Sequence, residues 1–295
     1  MSYIGRFAPS PTGPLHFGSL LAALASFLDA RAADGQWLLR IEDLDPPREQ
    51  AGLKEQFPDV LEAFGLYWDG ELRLQSEHPE CYQAVLEQLK AEQLAYPCQC
   101  SRKEILQRTG HAIYDGHCRT HPPSSEDNCA IRLDCQHHLI SFHDVIQGAH
   151  AYNMDLSSGD FIIYRRDKLF SYQLAVVVDD YLQGITHVVR GFDLLEETPR
   201  QILLQQFLGY PSPAYAHIPV ATNNQGQKLS KQTFAPALDI SNPVPTLYSA
   251  LQFLEQNPPE NLRQASRDEL LEWAITHWNI KQIPAVSGKP VCEES

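Results

Sequence analysis

The run Arg6-Phe7-Ala8-Pro9-Ser10-Pro11-Thr12-Gly13-Pro14-Leu15-His16-Phe17-Gly18-Ser19 leaves this chain few options. Tyr3 to Phe7 predicts a short strand, and Leu20, Leu21, Leu24, Phe27 and Leu28 recur at the spacing of a half-buried helix that runs to Ala33. The prolines between them fix the backbone, and Gly13 and Gly18 admit conformations that side chains would block. Such a strand-to-helix turn ends on a helix N-terminus, whose unpaired N–H groups and partial positive charge suit a phosphate. Many α/β folds open this way without binding a nucleotide, so on the turn alone His16 reads as an ordinary polar loop residue.

Gln36 to Ile41 has the apolar content of a buried parallel strand and stops at Glu42-Asp43, which completes a β-α-β unit. Ligands of such sheets collect outside the carboxyl ends of strands, so Arg6 and Glu42 are expected at one rim. Two helices follow, one within 49–64 that Pro58 is expected to break or kink, and one over 80–94 with Tyr82, Leu86 and Leu89 on one face.

From Tyr96 to Lys168 cysteine and histidine concentrate, and short β-like runs replace helical periodicity at 130–133, 139–145 and 161–165. Leu174 to Val178 predicts a strand ending in Asp179-Asp180, and His187 to Arg190 another. Thr198-Pro199 supplies an N-cap and first-turn proline for a helix closing near Gly209. The remainder reads as helical, with a stripe at Leu247, Ala250, Leu251 and Leu254, a capping box at Ser266-x-x-Glu269, and a loose last dozen residues. The expected division is 1–95, first half of a doubly wound α/β domain; 96–168, an insertion; 169–235, the second half; and 236–295, a small helical region.

With 295 residues and 43% hydrophobic content the chain can bury a substantial core, while 23 basic against 37 acidic side chains give a net charge of −14. No global basic footprint exists, so a nucleic-acid partner must be met by a local patch. No apolar run suits a signal peptide or a membrane span, and a soluble, cytoplasmic protein is expected. Seven cysteines, an odd number, argue against a disulfide framework. Cys98-x-Cys100 with Cys118 offers three ligands for a tetrahedral zinc, against the alternative of incidental buried thiols. Tyr114, His111, His117 and His121 are nearby candidates for the fourth, among which spacing does not choose.

Far downstream lies Lys228-Leu229-Ser230-Lys231-Gln232. Together with the opening turn it resembles the two signature motifs of the class I aminoacyl-tRNA synthetases. Arg-Phe-Ala-Pro-Ser-Pro-Thr-Gly-x-Leu-His followed by Leu39-Arg40-Ile41-Glu42-Asp43 resembles their glutamyl branch. The resemblance covers roughly residues 3–260. It implies a Rossmann-like, doubly wound parallel class I synthetase core carrying an inserted zinc-binding α+β subdomain and a small C-terminal helical region. It further implies that His16, Gly18, Ser19, Lys228, Ser230 and Lys231 serve ATP, accompanied by Mg2+. Arg6, Ala8, Ser10, Glu42, Tyr172 and Arg190 are implied for the amino acid. Two arginines and one carboxylate suit a diacid zwitterion, hence L-glutamate. Arg6 with Tyr172 is expected on the side-chain carboxylate and Arg190 on the α-carboxylate, an assignment open to exchange.

In the short paralogues of this branch the segment Cys-x-Cys with Tyr-Asp-Gly-His-Cys binds zinc. The likeness implies Cys98, Cys100, Tyr114 and Cys118 as ligands, Tyr114 ahead of His117, in a closed structural site. A full-length glutamyl enzyme continues into a large anticodon-reading helical domain, whereas this chain stops shortly after the second motif. The expectation is therefore a truncated paralogue that activates glutamate without tRNA and attaches it to queuosine at the wobble position of tRNA(Asp), acting as a monomer. Ser19, Gln232 and Gly191-Phe192-Asp193-Leu194 depart from the full-length pattern. The alternatives are an enzyme that charges an acceptor end and a non-catalytic tRNA-binding paralogue. Arg165-Arg166-x-Lys168 is a candidate tRNA contact, against the alternative of an ordinary basic hairpin tip.

Overall fold

The computed structural model describes residues 2–223 and 237–291. Its strands are β1 (Ile4–Phe7), β2 (Gln36–Ile41), β3 (Arg73–Leu74), β4 (Ala95–Cys98), β5 (Ala130–Leu133), β6 (Leu139–Asp144), β7 (Gly148–Asn153), β8 (Ile162–Tyr164), β9 (His187–Gly191), β10 (Ala214–Ile218), β11 (Val220–Thr222) and β12 (Gly288–Pro290). Its helices are α1 (Phe17–Ala32), α2 (Leu53–Ala63), α3 (Pro79–Ala91), α4 (Arg102–Thr109), α5 (His117–Thr120), α6 (Met154–Ser157), α7 (Tyr172–Leu182), α8 (Thr198–Leu208), α9 (Pro243–Phe253) and α10 (Arg267–His277). None of the described helices is long and apolar enough to cross a membrane.

β1 pairs in parallel with β2, Arg6 opposite Leu38 and Phe7 opposite Leu39, and β2 continues to β3. On the other side β9 pairs in parallel with β10, and β10 with β6. The two ladders meet at Thr186, whose N–H donates to Ile4 O and whose hydroxyl accepts from Ile4 N–H. The strands thus run β3-β2-β1-β9-β10-β6, and chain direction reverses its spatial progress between β1 and β9, the switch point where doubly wound sheets bind ligands.

Helices cover both faces. One apolar core packs α1, α2, α9 and α10 against β1 and β2, and a second packs α3, α7 and α8 behind β5, β6 and β10. α1 is buried nearly all round, and Gly5 of β1 leaves room for the Tyr3 ring. A Cβ at Gly5 would lie 3.1 Å from the Tyr3 ring and 3.7 Å from Ala30 Cβ.

Four local expectations are corrected. Residues 172–182 form a helix, not a strand: Leu174 to Asp180 are buried without interruption, so the segment shows no amphipathic period, and Ser171 caps it by accepting from Leu174 N–H. Pro58 sits inside α2 without ending it. Thr198 is the first residue of α8 and Glu197 its cap. Within the last dozen residues, 288–290 are not loose, because β12 pairs in parallel with β11; residues 292–295 lie outside the described residues. The capping box of α10 is present, Ser266 Oγ accepting from Glu269 N–H and Glu269 accepting from Ser266 N–H.

The segment 96–168 divides between two sheets. β5 pairs with β4 and β8 in an antiparallel sheet of its own, whereas the hairpin β6–β7 extends the main sheet through the Asp144–Tyr215 register.

Candidate functional site

The opening turn is clipped at three points by backbone bonds. Pro9 O accepts from Glu42 N–H (3.0 Å), Pro11 O from Gln50 N–H (2.9 Å), and Leu15 O from Leu238 N–H (3.1 Å). These place Ala8 and Ser10 over the carboxyl ends of β1 and β2. His16 caps α1: its Nδ1 accepts from Gly18 N–H at 3.1 Å, and its own N–H faces Ser19 Oγ at 3.5 Å. An Nδ1 that accepts carries no proton, so the neutral ring holds its proton on Nε2. Lys228, Ser230 and Lys231 lie outside the described residues. The chain resumes on the turn itself, Ala237 bridging to His16.

At the strand ends a buried charge network forms. Arg6 meets Asp180 through two contacts, Nε–Oδ1 at 3.2 Å and Nη2–Oδ2 at 3.4 Å. Arg40, fully buried, lies 2.8 Å from Asp180, 3.6 Å from Glu42 and 3.8 Å from Asp179. Asp179 also accepts from Arg73, Gln75 and Tyr82. Burial works against ionising Asp180, yet Arg6 and Arg40 hold its carboxyl below the usual range. Glu42 is different. Burial pushes it up to about 7, against the pull of Arg40 and Arg6, because Asp179 and Asp180 already take those cations.

Arg190, near the end of β9, is a further buried guanidinium. Its Nε–H donates to His217 Nε2 (2.9 Å), its Nη2 to Thr198 Oγ1 (2.9 Å) and Leu194 O (3.3 Å), and its Nη1 to the Tyr172 hydroxyl (3.3 Å). Tyr172 thus stands beside Arg190, a contact that bears on the exchangeable assignment of Arg6 and Arg190 to the two carboxylates without deciding it. The helix at 172–182 presents Tyr172 from its first turn. Arg190, Glu42 and Arg6 all lie within electrostatic range of the Tyr172 hydroxyl.

Sequence reasoning missed Asp180, His217 and Asp144. The signal for Asp180 was a pair of acids closing an apolar run, which does not name Arg6 and Arg40 as partners. Nothing in the sequence marks Asp144 and His217 as partners.

The cysteine cluster lies apart, between β4 and α5. The sulfurs of Cys98, Cys100 and Cys118 lie within 4.8 Å of one another, Cys100 and Cys118 at 3.5 Å. Zn–S bonds of about 2.3 Å in a tetrahedron put sulfurs about 3.8 Å apart, which this set fits. The Tyr114 hydroxyl lies 3.3 Å from Cys98 Sγ and 3.7 Å from Cys100 Sγ, whereas the His117 ring stacks on His121 with centroids 4.6 Å apart. Tyr114 is fixed by its bridge to Gly159, where a Cβ would lie 2.3 Å from Tyr114 O. Arg132 Nε donates to Cys98 Sγ at 3.2 Å, and Arg108 Nη2 approaches Cys100 Sγ at 3.7 Å, cations suited to a thiolate-rich site.

In the basic hairpin tip, Arg165 pairs with Asp45 and Asp167, and Arg166 donates to Gln99 O.

A doubly wound sheet with charged side chains gathered at its switch point is a place for a ligand, and comparison with known proteins supplies the family. Residues 4–242 match the family model "tRNA synthetases class I (E and Q), catalytic domain", and the chain belongs to that family. A Thiobacillus denitrificans protein named Glutamyl-Q tRNA(Asp) synthetase is 53% identical over 97% of this chain and 97% of its own length. A Salmonella typhimurium protein of the same name is 51% identical over 96% and 94%. In fold, the chain resembles a glutamate-tRNA synthetase from Elizabethkingia anophelis, with a TM-score of 0.83 at 24% identity over 98% of this chain and 68% of that one.

Proposed function

We propose that the chain activates L-glutamate with ATP, without tRNA, and transfers the glutamyl group to queuosine at the wobble position of tRNA(Asp). The observation that supports the amino-acid half is the electrostatic coupling of Glu42 and Tyr172 to Arg6, and of Tyr172 to Arg190, at the carboxyl ends of the sheet strands. Two guanidiniums and one carboxylate match the two carboxylates and one ammonium of glutamate. The acceptor half is supported by the relatives of the same name that match nearly end to end.

In the first step a glutamate α-carboxylate oxygen forms a bond to the α-phosphorus, and the bond to the leaving pyrophosphate breaks. The nucleophile is already ionised, so the protein's task is orientation and charge neutralisation. Glu42 holds the ammonium, Arg190 with Tyr172 takes one carboxylate, and Arg6, beside Asp180, faces the other; Ala8 and Ser10 form the floor. His16, whose Nδ1 is engaged by the Gly18 N–H, presents Nε2–H to the phosphates beside Gly18 and Ser19 at the start of α1, with Lys228, Ser230 and Lys231 assigned to the same ATP site. Mg2+ bound with ATP supplies charge neutralisation on the phosphates. In the second step a hydroxyl of the queuosine cyclopentene ring bonds to the glutamyl carbonyl carbon, loses its proton, and displaces AMP.

Cys98, Cys100, Tyr114 and Cys118 would hold a structural Zn2+, all four positions being taken by protein. Arg165, Arg166 and Lys168 stand as a candidate contact for the anticodon arm. The proposed organisation is 1–95 and 169–235 as the catalytic halves, 96–168 as the insertion and 236–295 as the C-terminal region, in a cytoplasmic monomer. Incubation with ATP, labelled glutamate and either queuosine-containing or queuosine-free tRNA(Asp) tests the acceptor. Label is expected only on the former, in the modified nucleoside; equal labelling of both, or label at the 3′ end, overturns it.

A further inference from the structure

Arg190 is held by a second layer that the substrate does not touch. His217 and Asp144 are both fully buried, with Nδ1 and Oδ2 only 2.6 Å apart. Asp144 Oδ1 accepts three backbone N–H groups, from Ile146 (3.0 Å), Gln147 (2.8 Å) and His217 (3.1 Å). That carboxylate is therefore locked in place, and its second oxygen is left for the imidazole. Burial pushes His217 down to about 4, so the ring is neutral near pH 7 despite its acidic neighbour. A neutral ring whose Nδ1–H donates to Asp144 presents a lone pair on Nε2, and the Nε–H of Arg190 points at it from 2.9 Å.

This fixes the whole fork. A guanidinium has five N–H donors. His217 takes one, Thr198 and Leu194 take the two on Nη2, and Tyr172 takes one on Nη1. The fifth N–H, also on Nη1, has no partner among the described residues. Tyr172 accepts from Arg190, which leaves its own O–H to donate beside that fifth N–H. Together they form a two-donor edge sized for one carboxylate.

We propose that Asp144 and His217 are positioning residues that set the imidazole tautomer and thereby aim Arg190 and Tyr172 at a carboxylate of the substrate. The inference rests on the assignment of Arg190 to the glutamate site. It also gives the hairpin β6–β7 a task, since Asp144 ends β6.

The decisive variant is Asp144→Asn, which preserves shape. Oδ1 remains on its three N–H groups, the new amide N–H faces Nδ1, and the ring must move its proton to Nε2, where it opposes Arg190 Nε–H. In glutamate-dependent pyrophosphate exchange, D144N is expected to raise the glutamate KM at least tenfold while the ATP KM stays within twofold. His217→Ala should do the same, and His217→Gln, which can return an acceptor oxygen to Arg190, should recover most of the loss. Melting curves on each variant identify any that fails to fold, in which case the folded members of the set decide. A folded D144N or H217A with a glutamate KM within twofold of the parent overturns the proposal, as does an equal rise in the ATP KM. Arg190→Ala serves as the separate control. Normal glutamate use there would remove the assignment of Arg190 itself, whereas loss there with normal D144N and H217A would remove only the positioning role.

Discussion

Glu42 titrates where enzyme assays are run, and this has a measurable consequence. Its side chain is 8% exposed and its pKa is raised from 4.5 to about 7, first by burial. Ionising it in the empty pocket therefore costs roughly 3 kcal/mol more than in water, at about 1.4 kcal/mol for each decade of acidity. An ammonium placed against it offsets that cost, so glutamate binds the ionised form. The sign follows: lowering pH protonates Glu42 and weakens glutamate binding, and raising it above 7 restores binding. With a midpoint near 7, about nine-tenths of the sites are ionised at pH 8 and about one-tenth at pH 6. Glutamate itself changes ionisation little over that range. The glutamate KM in pyrophosphate exchange should accordingly rise roughly tenfold from pH 8 to pH 6, with the ATP KM measured alongside to separate phosphate effects. Glu42→Gln should raise the KM at pH 8 and flatten its dependence. A flat profile in the parent protein, or the same slope in E42Q, would refute the reasoning.

Three further outcomes can be checked. Arg6→Ala should abolish glutamate-dependent exchange by at least a hundredfold with the circular dichroism spectrum unchanged, because Arg40 remains 2.8 Å from Asp180 and keeps it paired; a folded R6A with near-normal exchange would remove Arg6 from the site. Elemental analysis should find one zinc per chain, lost when Cys98 and Cys118 are both replaced by serine and retained but more easily chelated in Tyr114→Phe; unchanged zinc in the double variant would sink the ligand set. Ser266→Ala removes the cap of α10 and should cost about 1 kcal/mol in denaturant unfolding, with no change in exchange kinetics.

What could be read in advance follows from where each signal resides. The turn at residues 6–19 was legible because its prolines and glycines are local, whereas the His16 cap and the backbone clips to Glu42, Gln50 and Leu238 emerge from the structure. β1, α1 and β2 were legible for the same reason. The helix at 172–182 was not, since a segment buried on every side has no polar face to reveal its period. β12 was missed because three residues pairing with a distant strand leave no local mark. In the site, residue types suggested a pocket for a diacid, but not which groups stand behind it. Asp180 and Asp144 act through contacts 174 and 73 positions away along the chain, and pairings of that range are set by topology. Which arginine stands next to Tyr172 was likewise not legible, because that contact depends on the helix at 172–182.

The split of residues 96–168 between two sheets bears on how this chain can be edited. An insertion that contacted its host only at its two ends could be cut out, exchanged or lengthened as a cassette. Here excision would remove the edge hairpin of the main sheet and, with Asp144, the group that holds His217. A graft of this segment from another protein would have to match the register of Asp144 opposite Tyr215 as well as the cysteine spacing. A reduced version of the chain should accordingly be sought by trimming the loop between Pro122 and Asn128, which is exposed along most of its length, with β6 and β7 left untouched.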